Sequence, residues 1–240
     1  MVEGAMDVEH VGERTPHWGL GDAAIGLLVG WLATAVVVAV WAGSGGADAN
    51  NPSLGALAVG EAALWVGLLG APLVATRRKG SGDLATDFGF SFRWADAVVG
   101  LPVGVVCQLL LVPLIYLPLQ QFISKHDLEE PVRRVTDSAH GGGFIALTIV
   151  VVVGAPVVEE LFFRGLVLRS LQRRFGDTWA VVGSAVVFGV AHFEPLQLPA
   201  LVALGVILGV MAVSTKRLGP SIFAHAGFNL VTMIALAASR

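Results

Sequence analysis

Charge is what this chain has least of. Of its 240 residues only 14% are Asp, Glu, Lys or Arg, while 55% are hydrophobic, which is about half the usual charged share of a globular protein. A soluble domain of this size needs a charged skin, so the composition excludes an ordinary soluble enzyme. A formal net charge of -3 with no extended basic face argues for no nucleic-acid partner. Cysteine occurs once, as Cys107 within an apolar run, so no intrachain disulfide can form and the residue reads as a small buried hydrophobe. The N-terminal stretch carries Glu3, Asp7, Glu9 and Glu13 against Arg14 alone. It lacks the basic start of a signal peptide, so the first apolar run is expected to be retained as a span. The HExxH spacing of zinc proteases is missing, and no GK[ST] follows Gly141 to Gly143 to make a phosphate loop. The spans hold no aspartate pair, and Ser184 and Ser221 lack a convincing base one turn away.

Long apolar runs take the place of what is absent. They cover residues 24–42, 54–75, 96–119, 144–176, 178–193, 198–214 and 221–238. Runs of this length predict an all-α, polytopic integral membrane protein with about seven transmembrane helices, within a range of six to eight. Residues 1–20 read as a cytoplasmic N-terminal tail. Residues 21–143 read as an N-terminal transmembrane region with connecting loops, and 144–238 as a second transmembrane core. One set of span ends carries Arg14, Arg77, Arg78, Lys79, Arg93, Arg169, Arg173, Arg174, Lys216 and Arg217; the other carries Lys125, Arg133, Arg134 and Arg240. The positive-inside rule then puts the N-terminus in the cytoplasm, in a multi-pass protein of the cell (inner or plasma) membrane. Trp18, Trp41, Trp94 and Trp179 fall near span ends, as aromatic belts do. Pro102, Pro113 and Pro118 should bend the third span. The polar stretch 120–143 is expected to hold a short interfacial helix, with His126 and His140 as solvated loop histidines. Gly205 and Gly209 have the spacing that lets helices approach closely.

Against this apolar background a few polar residues stand out. Glu159, Glu160 and Arg164 follow the uncharged run from Phe144 to Val158, and the later spans add His192, His225 and Asn229. Charges inside hydrocarbon are costly and are usually retained for a purpose. Glu61, near the start of the second span, reads more simply as a snorkelling group or a hydrogen-bond partner for a neighbouring helix. Glu160 and Arg164 are i,i+4 and share a helix face, whereas Glu159 points about 100° away. Arg164 is therefore expected to neutralise Glu160, leaving Glu159 to face a cavity. A hairpin turning at Phe175 and Gly176 pairs positions whose numbers sum to about 351, which matches Glu159 in depth with His192. His225 and Asn229 are again i,i+4, and Phe188, one turn before His192, is placed to wall the same pocket.

A buried glutamate can take a proton from water, and imidazole and amide groups can donate to an oxyanion. That set suits hydrolysis, with an amide as the expected target. The same residues could instead hold a single divalent metal: Glu159, His192 and His225 form a zinc-like set of two imidazoles and a carboxylate. No cofactor is otherwise implied. Intramembrane Glu, Arg and His also line ion or proton paths in transporters, or hold helices together in a non-catalytic scaffold or immunity protein.

The three motifs Glu159-Glu160-Leu161-Phe162-Phe163-Arg164, Phe188-Gly189-Val190-Ala191-His192 and His225-Ala226-Gly227-Phe228-Asn229 resemble EExxxR, FxxxH and HxxxN. These belong to the CPBP intramembrane proteases, the CAAX protease and bacteriocin-processing (Abi) family that includes Rce1-type prenyl-protein endopeptidases. The resemblance covers about residues 144–235 and makes 144–238 the catalytic core of a prokaryotic-looking member. It implies that Glu159 activates water with His192 as partner, that Glu160 and Arg164 support the site, and that His225 and Asn229 bind the oxyanion. The implied substrate is a hydrophobic or lipidated peptide or protein reached within membrane lipid.

Overall fold

The computed structural model describes residues 16–43, 54–136 and 139–239. Most of the N-terminal tail and of the loop between the first two spans therefore lies outside the described residues. Helices α1 (Leu20–Gly43) and α2 (Leu54–Lys79) are followed by a short α3 (Leu84–Phe88) and by α4 (Trp94–Leu119). Then come α5 (Lys125–Thr136) and the continuous stretch Gly142–Ala191 of 50 residues. Its backbone leaves the helix at Gly176 (φ 74°, ψ 176°), a conformation that glycine alone adopts without a Cβ penalty. The stretch is thus a hairpin of two arms, α6 (142–175) and α7 (177–191). Helices α8 (Leu198–Thr215) and α9 (Gly219–Ala238) complete the chain. The described residues contain no strand. Among the described residues six helical stretches are long and apolar enough to cross a membrane; the one of 50 residues is this hairpin, whose two arms correspond to the fourth and fifth of the expected spans. The interfacial helix expected in the 120–143 stretch is α5.

The fold inverts the polarity of a soluble protein. Ile25, Leu32 and Val36 of α1, Leu110 and Leu114 of α4, and Ile145 and Ile149 of α6 are exposed, whereas Glu160 and Arg164 have no exposure at all. Helix α6 is the centre, packing against α1, α2, α3, α7, α8 and α9. Around it α1 pairs with α2, α4 with α9, and α7 with α8. Small residues make these pairings close. A Cβ on Gly30 would meet Leu64 O at 2.8 Å, and one on Gly100 would meet Pro220 O at 2.6 Å. On α8, Gly205 and Gly209 face Ala185 and Val181 of α7, the close approach that their spacing suggests.

The prolines act locally. Wide π turns at Cys107–Leu111 and Val150–Gly154 each end one residue before the residue that precedes a proline, Pro113 and Pro156 respectively. A proline ring would clash with the carbonyl four residues back. Passing to an i→i+5 pattern, with Val112 N–H on Cys107 O and Ala155 N–H on Val150 O, removes that conflict. One belt residue is placed differently from expectation. Trp94 and Trp179 are exposed, but Trp18 is 4% exposed, because its ring packs on Phe88 at 4.7 Å under the guanidinium of Arg173.

Candidate active site

The polar residues singled out in the sequence converge where α6, α7 and α9 meet. Glu159 and Glu160 close the α-helical turn Ala155–Glu160, and a seven-residue π-helical segment, Leu161–Val167, follows with Arg164 inside it. Glu160 and Arg164 form an ion pair at 2.7 Å (Oε1 to Nη1). The guanidinium also donates through Nη2 to Gly205 O at 3.1 Å and lies 4.4 Å from the Phe188 ring centroid. Such contacts offset part of the cost of burying the ions, although Glu160 Oε2 and Arg164 Nε have no hydrogen-bond partner.

His225 Nδ1 stands 3.1 Å from Glu160 Oε1. Because a carboxylate paired with arginine only accepts, the imidazole is the donor, and its Nε2 is turned to Glu159. His192, capping the end of α7, donates Nδ1–H to Phe188 O at 2.7 Å. That bond fixes the ring and leaves its Nε2 as an acceptor, also turned to Glu159. Glu159 Oε2 is thus 3.9 Å from His192 Nε2 and 3.8 Å from His225 Nε2, and it has no hydrogen-bond partner in the protein. Phe188 is the wall between these groups, its centroid 4.7 Å from the His192 ring and 5.7 Å from that of His225. Phe163 meets Phe188 edge-on at 5.2 Å, a pair that confirms the hairpin register.

Asn229 lies one turn beyond His225, and its amide donates to Val151 O at 2.8 Å. It thereby fastens α9 to the π turn of α6, and one amide hydrogen remains uncommitted. Two features were not assigned to the site from the sequence. Glu61 of α2 is half-buried and within electrostatic reach of both His192 and Glu159. Phe193, directly after His192, has φ 54° and packs its ring on Trp31 of α1 at 5.1 Å, so a bulky residue is held in a left-handed turn at the rim of the cluster. His126 is exposed in α5 and His140 in the following loop, as expected.

The zinc reading gains no support from this geometry. Among the described residues no group of three or more His, Cys, Asp or Glu side chains could hold a metal ion. Separations of 3.9 and 3.8 Å are also wider than the roughly 3.3 Å between donors on a tetrahedral ion with bonds of about 2.0–2.1 Å.

Residues 141–231 match the family described as "Type II CAAX prenyl endopeptidase Rce1-like". Glu159, Glu160, Arg164, Phe188, His192, His225 and Asn229 all lie inside the matched segment. The chain is also similar to a Bacillus subtilis (strain 168) protein named "Putative membrane peptidase YdiL". Identity is 30% over 88 residues, covering 37% of this chain and 36% of that protein, so the match spans about a third of its length. No solved structure matches the chain significantly.

Proposed function

We propose that the chain is a membrane-embedded endopeptidase that hydrolyses a peptide bond in a hydrophobic or lipidated peptide or protein, using water activated by Glu159. One observation carries the reading: an unpartnered Glu159 oxygen stands 3.9 and 3.8 Å from two imidazole Nε2 atoms, too far for direct bonds and suited to a bridging water. The reading takes Glu159 as ionised and His225 as donating from both ring nitrogens. His225 then carries N–H groups on both sides, one to Glu160 and one to the water. The water donates to Glu159 and to His192 Nε2 and keeps a lone pair for attack.

In the reaction the water oxygen bonds to the substrate carbonyl carbon while its proton passes to Glu159. The negative charge that develops on the carbonyl oxygen is met by His225 Nε2–H and by the second amide hydrogen of Asn229. Collapse of the tetrahedral species breaks the C–N bond, and Glu159 returns its proton to the departing amine. Similarity to a membrane peptidase and to prenyl endopeptidases supports a substrate held in or at the bilayer. Orientation with the N-terminus in the cytoplasm follows from the basic span ends.

The test uses purified protein in detergent with a library of lipidated and hydrophobic peptides, followed by mass analysis of products. Cleavage is expected, with Glu159→Gln lowering kcat by about 10²–10⁴-fold while elution volume and helicity stay unchanged. Hydrolysis at the wild-type rate by that variant would reject Glu159 as the base. Vectorial ion or solute movement in vesicles without any peptide cleavage would favour a transporter instead.

A further inference from the structure

A second polar feature lies at the end of the bundle, where α6 turns into α7. A cleft of about 340 Å³ opens there between Pro16, Trp18, Asp87, Arg169, Gln172 and Arg173. A smaller cavity of about 40 Å³ shares Arg169 and Gln172 with it and reaches Lys216. Arg173 lies over the Trp18 ring, 3.7 Å from the centroid, and donates to the Trp18 carbonyl. Arg169 donates to the Lys216 carbonyl at 3.0 Å. Both guanidiniums therefore meet neutral oxygens, and among the described residues neither has a carboxylate at ion-pair distance. Among the described residues Asp87 is the single acid lining the cleft. Its carboxylate already accepts from the Thr76 hydroxyl and from Ser81 N–H at 2.9 Å. Two positive charges against one negative leave the cleft with one net positive charge.

The surroundings say which anion would fit. The cleft is lined by residues of the basic turn between α6 and α7, and the same turn carries Phe175 and Trp179, which are 57% and 69% exposed. The exposed basic end of α2, with Arg77, Arg78 and Lys79, lies at the same level, tied there by His17 N–H on Lys79 O and by the Lys79–Asp22 ion pair. A guanidinium pair with an aromatic rim at a span end fits an acidic headgroup better than a free solute, because the acyl chains gain contact with the exposed rings. We infer that this cleft binds the phosphodiester of an anionic phospholipid, with Arg169, Gln172 and Arg173 on the phosphate and Phe175 and Trp179 against the acyl region. Arg169 stands ten positions beyond Glu159, about 15 Å along the helix, so the lipid does not touch the reacting atoms. The inference is independent of the protease reading.

Binding is measured on the full chain in neutral detergent by native mass spectrometry and thermal melting, with phosphatidylglycerol or phosphatidylcholine added. Phosphatidylglycerol is expected to be retained at least about tenfold more strongly, and to raise the melting temperature. Arg169→Gln, which leaves Arg173 on Trp18, should bring the two lipids to within about threefold. The double variant Arg77→Gln/Arg78→Gln, outside the cleft, should keep the preference. Equal losses in both variants would mean diffuse surface charge and overturn the site. Inorganic phosphate protecting as well as phosphatidylglycerol would overturn the lipid assignment in favour of a soluble anion.

Discussion

At Glu160 a carboxylate without solvent exposure is held by Arg164 at 2.7 Å and by His225 at 3.1 Å. Removing one partner from such a pair leaves a buried charge uncompensated, at a cost of about 3–5 kcal/mol. Arg164→Ala is therefore expected to lower the melting temperature in detergent sharply, and Glu160→Gln/Arg164→Met, which removes both charges, less so. At Glu159 the position is reversed: its Oε2 has no hydrogen-bond partner in the protein to lose, so Glu159→Gln should leave melting nearly unchanged while kcat falls by the stated factor. His192→Ala and His225→Ala should lose turnover, whereas His126→Ala and His140→Ala, both on exposed residues, should retain it. Glu61→Gln should lower kcat by no more than about tenfold, since Glu61 reaches the cluster through charge and not by holding the water. Rates on the best peptide substrate check all of these.

Among the helices, packing through glycine makes a sharper forecast. Gly104 of α4 faces the Ala224 carbonyl of α9, and an added Cβ would collide with it, whereas Gly60 of α2 faces open space. Gly104→Val should separate α4 from α9 and cause aggregation in detergent. Gly60→Ala should be neutral or stabilising by about 1 kcal/mol, the helix propensity gain; size-exclusion profiles and melting curves distinguish the two.

The element scale also shows where sequence reasoning reached its limit. Depth was legible, because a hairpin turning at Gly176 has only one register that brings Glu159 beside His192. Face was legible for Glu160 and Arg164, since i,i+4 spacing decides it. The direction of Glu61 was not, because α2 is apolar on all sides and no periodicity marks which face meets α6. The burial of Trp18 was hidden for a similar reason: its partner Phe88 sits in a loop-borne turn that no span pattern announces. Nor could spacing show that His225 would donate to Glu160, a bond that needs α9 to lie against α6.

For the whole molecule, the basic span ends make a topological forecast. With Cys107 buried, single cysteines can report sidedness. Ser81→Cys, between α2 and α3, should resist a membrane-impermeant maleimide in intact cells, and Ser124→Cys, before α5, should react. The opposite labelling pattern would invert the proposed orientation.

The placement of charge in the central helix bears on how the protein is made. Each of Glu159, Glu160 and Arg164 disfavours entry of α6 into lipid by about 2.5–3.5 kcal/mol when taken alone, and the imidazole that joins this group arrives only with α9. A nascent chain still lacking its last helix would hold α6 at the edge of the translocon, neither released nor fully committed. Biogenesis should therefore proceed by late, joint release of the C-terminal helices, and ribosome-stalled chains ending before residue 219 should leave α6 open to extraction by alkali.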